Sequence, residues 1–453
     1  MHTVGSLALT AESWTPASWR ARPARQQPAY ADPAALALAE ARLRALPPLV
    51  VAEEVEDLRR FIAEAAAGRR FMLQGGDCAE RFADCRGEAI ADKLRILLQM
   101  SVVITHGGRR SVFQVGRIAG QYAKPRSADT ETIGGRELPS YRGDLVNGAE
   151  ATEEARRPDP GRLLQAYFHA SATLNHLRAL VAGGFADLHH PERWELPGST
   201  LDVEAYRKVL AKVRESIDFI DAIQGTSGSY LRTGELFTSH EALLLPYEEA
   251  LTRFDATRGA HYNLGAHMLW IGERTRQLDG AHVAYLRGIR NPIGVKLGPA
   301  VTEEELKALL EALDPGREPG RLTLIPRLGY RKVREALPRL IHAAQASGHP
   351  VLWSCDPMHG NGRVTASGLK TRDFEHILSE LRQTLDIHRA LGSCLGAVHF
   401  ELTGEPVTEC LGGSQRLGEL DLHTAYETGC DPRLNQTQSL EMALLIAGML
   451  GEG

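Results

Sequence analysis

Cys78, His359, Glu401 and Asp431 stand in four separate stretches, FMLQGGDCAERF, VLWSCDPMHGNG, GAVHFELTGE and YETGCDPRLN. Each follows an apolar, strand-like run at the point where a Gly- or Pro-containing turn begins. One thiolate, one imidazole and two carboxylates form a mixed N/O/S donor set able to hold manganese, iron, cobalt or zinc. Taken singly, each has an ordinary role: a lone Cys is a small buried hydrophobe, and a lone His or Glu is a surface or satisfied core group. Cys85, Cys355, Cys394, Cys410 and most of the seventeen histidines keep that role. No CxxC or HExxH spacing demands a metal. The shared position at strand ends is what points to a site.

A cationic set follows the same rule. Arg117, Lys124, Arg126 and Ser127 lie in QVGRIAGQYAKPRS, Arg274 in WIGERTRQLDG, Lys296 in GVKLGP and Arg327 in LIPRLGY. An isolated Arg or Lys is a solvated surface charge. Five or more converging on one rim would neutralise more than one phosphate, because Arg binds phosphate bidentately and Lys acts as a point charge. Two anionic groups are therefore expected. Glu273 either holds Arg274 in an ion pair or polarises a water. His267 is read as core, Thr302 and Glu305 as a helix cap, and Gly75 and Gly76 as a tight turn.

Positioning these side chains requires repeated strand ends. Eight β-like runs, at 71–74, 111–115, 235–238, 267–270, 294–297, 322–326, 351–355 and 397–402, alternate with amphipathic helical stretches such as EAIADKLRILLQMSVVI. The alternation predicts parallel strands with crossover helices, closing as a (β/α)8 TIM barrel whose chemistry sits at the C-terminal strand ends. An open doubly wound sheet is the competing architecture, but the first strand lacks a Gly-rich dinucleotide turn. The 453 residues read as one barrel domain. Residues 1–48 form an N-terminal arm, and residues 161–223 form extra helices between the second and third strands, a candidate regulatory or oligomer surface.

Composition narrows the function classes. A formal net charge of -5 argues against nucleic acid as a main partner. The N-terminus lacks the pattern of a secretory leader and no run is apolar enough to span a bilayer, so a soluble cytoplasmic protein without membrane contact is expected. Six cysteines without an export signal read as reduced thiols.

The motifs GGDCAERF, GRIAGQYAKPRS, LPSYRGDLVNG, FTSHEALLLPYEEAL, GERTRQLDGAHVAYLRGIRNPIGVKLGP, CDPMHGNG and CDPRLNQTQSLEMA resemble those of class II (plant-type) 3-deoxy-D-arabino-heptulosonate 7-phosphate synthases. The likeness runs from WTPASWR to the last helix. It implies a metal-dependent condensation of phosphoenolpyruvate with erythrose 4-phosphate, the entry step of the shikimate pathway, on a (β/α)8 barrel. By motif, the metal ligands fall on Cys78, His359, Glu401 and Asp431, with manganese or cobalt favoured over zinc or iron. The substrate contacts fall on Arg117, Lys124, Arg126, Ser127, Glu273, Arg274, Lys296 and Arg327. Of these, Lys124, Glu273 and Lys296 are the candidate catalytic groups. The resemblance further implies a homodimer or higher homo-oligomer, aromatic end-product effectors and a chorismate mutase partner. Cys430 precedes Asp431, and the implied fold brings it near Cys78, so a reversible disulfide that removes the thiolate ligand is a hypothesis; activity that survives oxidant with the metal retained would exclude it. Two departures stand out. Gly362 replaces a common Thr, and Ala284 replaces a common Glu, with an altered charge around the site expected from the second. Rival readings are an amino-sugar variant of the condensation, a non-catalytic regulatory homologue and a phosphate-binding metal sensor.

Overall fold

The computed structural model describes residues 14–187, 201–224 and 236–451. Eight parallel strands close into a barrel: β1 (Arg70–Gly76), β2 (Ser111–Arg117), β3 (Leu236–Glu241), β4 (Met268–Ile271), β5 (Ile293–Leu297), β6 (Leu322–Pro326), β7 (Val351–Cys355) and β8 (Leu395–Glu401). Each pairs with its sequence neighbour, and β8 pairs with β1 from Met72 opposite Ala397 to Gly76 opposite Glu401. Closure rules out the open sheet. The strands are apolar on both faces because one face packs inside the barrel and the other meets the helical layer, as in β4, where all four residues are buried. Every expected strand is present, with ends differing by a few residues; Glu235, the expected start of the third, lies outside the described residues.

The barrel interior changes character along its axis. At the N-terminal end, Met72, Phe113, Phe237, Met268, Leu352 and Ala397 pack against Leu58, Phe61, Ile62 and Ala65 of the helix Ala52–Ala66, which plugs that end. Higher up, polar groups replace apolar ones. Gln74 donates to Ser239 Oγ at 2.9 Å and its carbonyl oxygen lies 2.7 Å from His399 Nδ1. This gradient directs polar chemistry to the C-terminal mouth. Register then sets its level: Gly76 pairs with Arg117 on one side and Glu401 on the other. A Cβ at Gly76 would stand 2.5 Å from the Arg117 carbonyl oxygen, and its φ of +145° suits glycine.

The arm is anchored to the barrel by buried charge. Trp19 Nε1 donates to Glu249 at 2.9 Å, and Arg20 and Arg44 each bridge Glu249 and Glu40. Residues 1–13 of the expected arm lie outside the described set. The long connection between β2 and β3 holds the two helices read from sequence, Gly161–Ala182 and Leu201–Gln224, with residues 188–200 undescribed. It also holds a hairpin, Thr130–Ile133 with Arg136–Pro139, which the sequence reading missed because the hairpin is short and largely exposed. Ala284 is buried and is not among the residues that line the cavity described below. Its carbonyl accepts Trp14 Nε1 at 2.8 Å, under the arm.

Candidate active site

The C-terminal ends of β1, β7 and β8 and the loop before the last helix bring four distant residues together. Ligand atoms of Cys78, Glu401 and Asp431 lie within 4.8 Å of one another. His359 reaches Glu401 through Nε2, 2.9 Å from Oε1. Two ligands on opposite sides of one ion at about 2.0–2.3 Å are roughly 4.6 Å apart, so the spread of Cys78, Glu401 and Asp431 fits a single dication. Asp356 accepts from His359 Nδ1 at 2.8 Å, the outer partner that orients a ligating imidazole. Cys78, Glu401 and Asp431 therefore fit the metal the sequence implies, whereas His359, expected as the fourth ligand, meets Glu401 without joining the group of three.

Electrostatics keep both carboxylates ionised. Burial alone would raise Glu401, but His359, Arg372 and Arg117 outweigh it and hold the carboxyl well below its usual range. Arg372 stands 2.7 Å from Glu401 Oε2 and Arg117 Nη2 donates to Oε1 at 3.1 Å. Asp431 is likewise depressed against burial, chiefly by Lys124 at 3.0 Å, with Lys370 at 2.8 Å. The Cys78 thiol is pushed up, first by its hydrogen bond with Cys430 and then by burial. Both cysteines are free thiols. A bound dication would reverse that preference and favour the thiolate.

A cavity of about 570 Å³, its open mouth included, opens beside this group. Arg117, Lys124, Arg274, Lys296 and Arg327 line it beside Cys78, His359 and Asp431, with Trp270 on the wall. Lys296 pairs with Asp356, yet burial, its largest influence, lowers it to about 8. Arg327 donates to the His359 carbonyl at 2.6 Å, tying the two loops. Glu273 also lines the cavity, but its oxygens take Arg276 at 2.8 Å and 3.0 Å and the Gly298 amide at 2.7 Å. The expected ion pair with Arg274 is thus made with Arg276. Arg126 and Ser127 stand outside the lining: Ser127 Oγ accepts Arg274 at 2.9 Å, and Arg126 pairs with Glu131.

Four functional candidates escaped the sequence reading. Asp356 precedes His359 by three residues within a motif already singled out, and its spacing was the available signal. Glu241 ends β3 inside FTSHEALLLPYEEAL, one strand end like the others. It lines the cavity, one oxygen is sealed from solvent without a hydrogen-bond partner, and burial raises its carboxyl. Arg372 and Lys370 sit on a short hairpin strand, Lys370–Arg372, with no periodic signal to mark them.

Comparison with known proteins adds independent findings. The model of the Class-II DAHP synthetase family matches residues 14–447. A Neurospora crassa protein named phospho-2-dehydro-3-deoxyheptonate aldolase is 48% identical over 456 residues, 96% of this chain and 94% of its own. A Streptomyces coelicolor protein of that name is 50% identical, covering 95% and 96%. Phospho-2-dehydro-3-deoxyheptonate aldolase AroG of Mycolicibacterium smegmatis is 49% identical, covering 95% and 93%.

Proposed function

The chain belongs to the class-II DAHP synthetase family, and from that premise we propose that it condenses phosphoenolpyruvate, erythrose 4-phosphate and water to 3-deoxy-D-arabino-heptulosonate 7-phosphate and inorganic phosphate. The observation that carries the reading is the meeting, at one cavity, of a metal-type donor set with five cations. Such a cavity suits two phosphorylated reactants and one polarised carbonyl.

When bound by Cys78, His359, Glu401 and Asp431, a divalent ion supplies Lewis acidity at the aldehyde oxygen. The remaining work falls to the chain's own groups. Arg117, Arg274, Lys296 and Arg327 hold phosphoenolpyruvate so that C3 faces the aldehyde carbon, while Arg126 and Ser127 receive the phosphate of the second substrate. Lys124, 3.0 Å from Asp431, delivers a proton to the aldehyde oxygen as the carbon–carbon bond forms. C2 then carries positive character, and water adds there. Glu241 has the unpartnered oxygen suited to steering that water, and Glu273, held by Arg276 and Gly298, fixes the adjoining loop. The hemiketal phosphate expels inorganic phosphate as C2 becomes the ketone.

The proposal extends to manganese or cobalt as the metal, a cytoplasmic homo-oligomer, aromatic end-product effectors and a chorismate mutase partner. These rest on the family membership and on the helices inserted between β2 and β3. Phosphate release from phosphoenolpyruvate is measured with erythrose 4-phosphate and with its amino analogue, with and without divalent metal, for wild type and Cys78→Ser. Metal-dependent release with erythrose 4-phosphate is expected. The variant should lose more metal affinity than the roughly 10–100-fold that loss of an outer partner costs. Release only with the amino analogue, or undiminished metal binding by Cys78→Ser, would overturn the assignment.

A further inference from the structure

A second cavity, of about 980 Å³ including its open mouth, adjoins the reaction cavity and shares Arg327 and His359 with it. Its walls are the turn after β6, where Tyr330, Arg331 and Lys332 stand, and the turn after β7, from His359 to Arg363. No Asp or Glu is among the lining residues. Arg363 is already balanced by Asp373 and Glu419, each at 2.8 Å. Arg331 and Lys332 differ: among the described residues no carboxylate pairs with either, and Arg331 donates to the Tyr330 hydroxyl at 2.8 Å. Arg327 adds a third cation whose Nε is buried without a hydrogen-bond partner.

The walls are fixed before any ligand arrives. Glu380 accepts the Leu328 and Gly329 amides at 2.9 Å and the Asn361 side chain at 2.6 Å, clasping both turns. Tyr330 stacks on His376 with ring centroids 4.1 Å apart, and the Arg331 guanidinium lies 5.3 Å from the Tyr330 ring centroid. Gly362 is exposed on the lining, and a Cβ there would meet nothing within 4 Å. The chain as a whole carries -5, so an approaching dianion is repelled at long range and gains only where local positive potential prevails.

We infer that this cavity is a capture site for phosphomonoester dianions, from which a phosphorylated substrate passes inward to Arg327. The inference rests on the proposed condensation, which needs two such dianions. Kinetics of the exposed pair variant R331Q/K332Q against ionic strength test it. At low salt kcat/KM should fall on the order of tenfold, with the loss shrinking as salt screens wild type. The effect should appear in KM rather than kcat, and the substrate whose KM moves is the one captured. Gly362→Phe, which adds bulk to the lining without backbone strain, should lower kcat/KM at every ionic strength. Variants that match wild type in both kcat/KM and salt dependence would overturn the capture site while leaving the proposed reaction intact. If wild type releases no phosphate from the two substrates, the reaction itself falls. Calorimetric titration with inorganic phosphate then decides the cavity alone: binding by wild type that R331Q/K332Q lacks supports it, and equal binding removes it.

Discussion

At the residue scale, the site works by setting charge states through burial and partners. Lys296 shows the sign most directly. Burial favours its neutral amine and brings it to about 8, with Asp356 pulling the other way. The ammonium that binds a substrate anion is therefore present below about pH 8 and lost above it. The expected outcome is a kcat/KM for phosphoenolpyruvate that is flat below about pH 8 and falls above it with unit slope, since that ratio reports the free enzyme. A limb displaced to the ordinary lysine value of about 10.4 would show that the ammonium persists in the cavity. Glu401 and Asp431 lie at the other extreme, ionised throughout the neutral range because cations surround them.

At the element scale, the strand ends deliver chemistry only because the turns after them are tied to one another. The turns after β6 and β7 meet backbone to backbone: a Cβ on Gly360 would stand 2.3 Å from the Gly329 nitrogen. Glu380, from the helix Phe374–Ala390, supplies the acceptors for three donors there. Glu380→Ala would leave those donors buried and unsatisfied, at a cost of about 3 kcal/mol. A lowered urea midpoint together with a raised KM for phosphoenolpyruvate, transmitted through Arg327, is expected. An unchanged midpoint would show that water replaces the carboxylate at no cost. A similar tie operates across β2, β1 and β8, whose register sets Arg117, Gly76 and Glu401 at one level.

At the scale of the whole molecule, the arm reaches the site. Gln26 accepts the Arg126 amide at 2.8 Å and donates to the Arg126 carbonyl at 3.0 Å, a two-point hold on the loop assigned to the second substrate. The arm is in turn seated by Trp19, Arg20 and Arg44 on Glu249. Gln26→Ala should raise KM for erythrose 4-phosphate by about tenfold, the worth of two hydrogen bonds, and leave that for phosphoenolpyruvate nearly as it is. Equal change in both constants would assign the arm a general stabilising role. The same view explains why the arm's link to the site was not legible in the sequence: a glutamine in RPARQQP carries no pattern that marks a loop 100 residues away.

The sequence by itself determined the barrel, because alternating apolar runs and amphipathic helices are local, periodic signals that survive without coordinates. It also marked residues whose motifs are contiguous, such as Cys78 in GGDCAERF and Asp431 in CDPRLNQTQ. Only the tertiary structure decided which of them touch. Glu273 chose Arg276 over its neighbour Arg274, Glu241 was left with an unpartnered oxygen inside the cavity, and Arg372 arrived at Glu401 from an otherwise featureless hairpin. Pairing across 284 residues, as between Arg117 and Glu401, depends on strand closure and register. Those are properties of packed elements in three dimensions, and no local stretch of the chain encodes them.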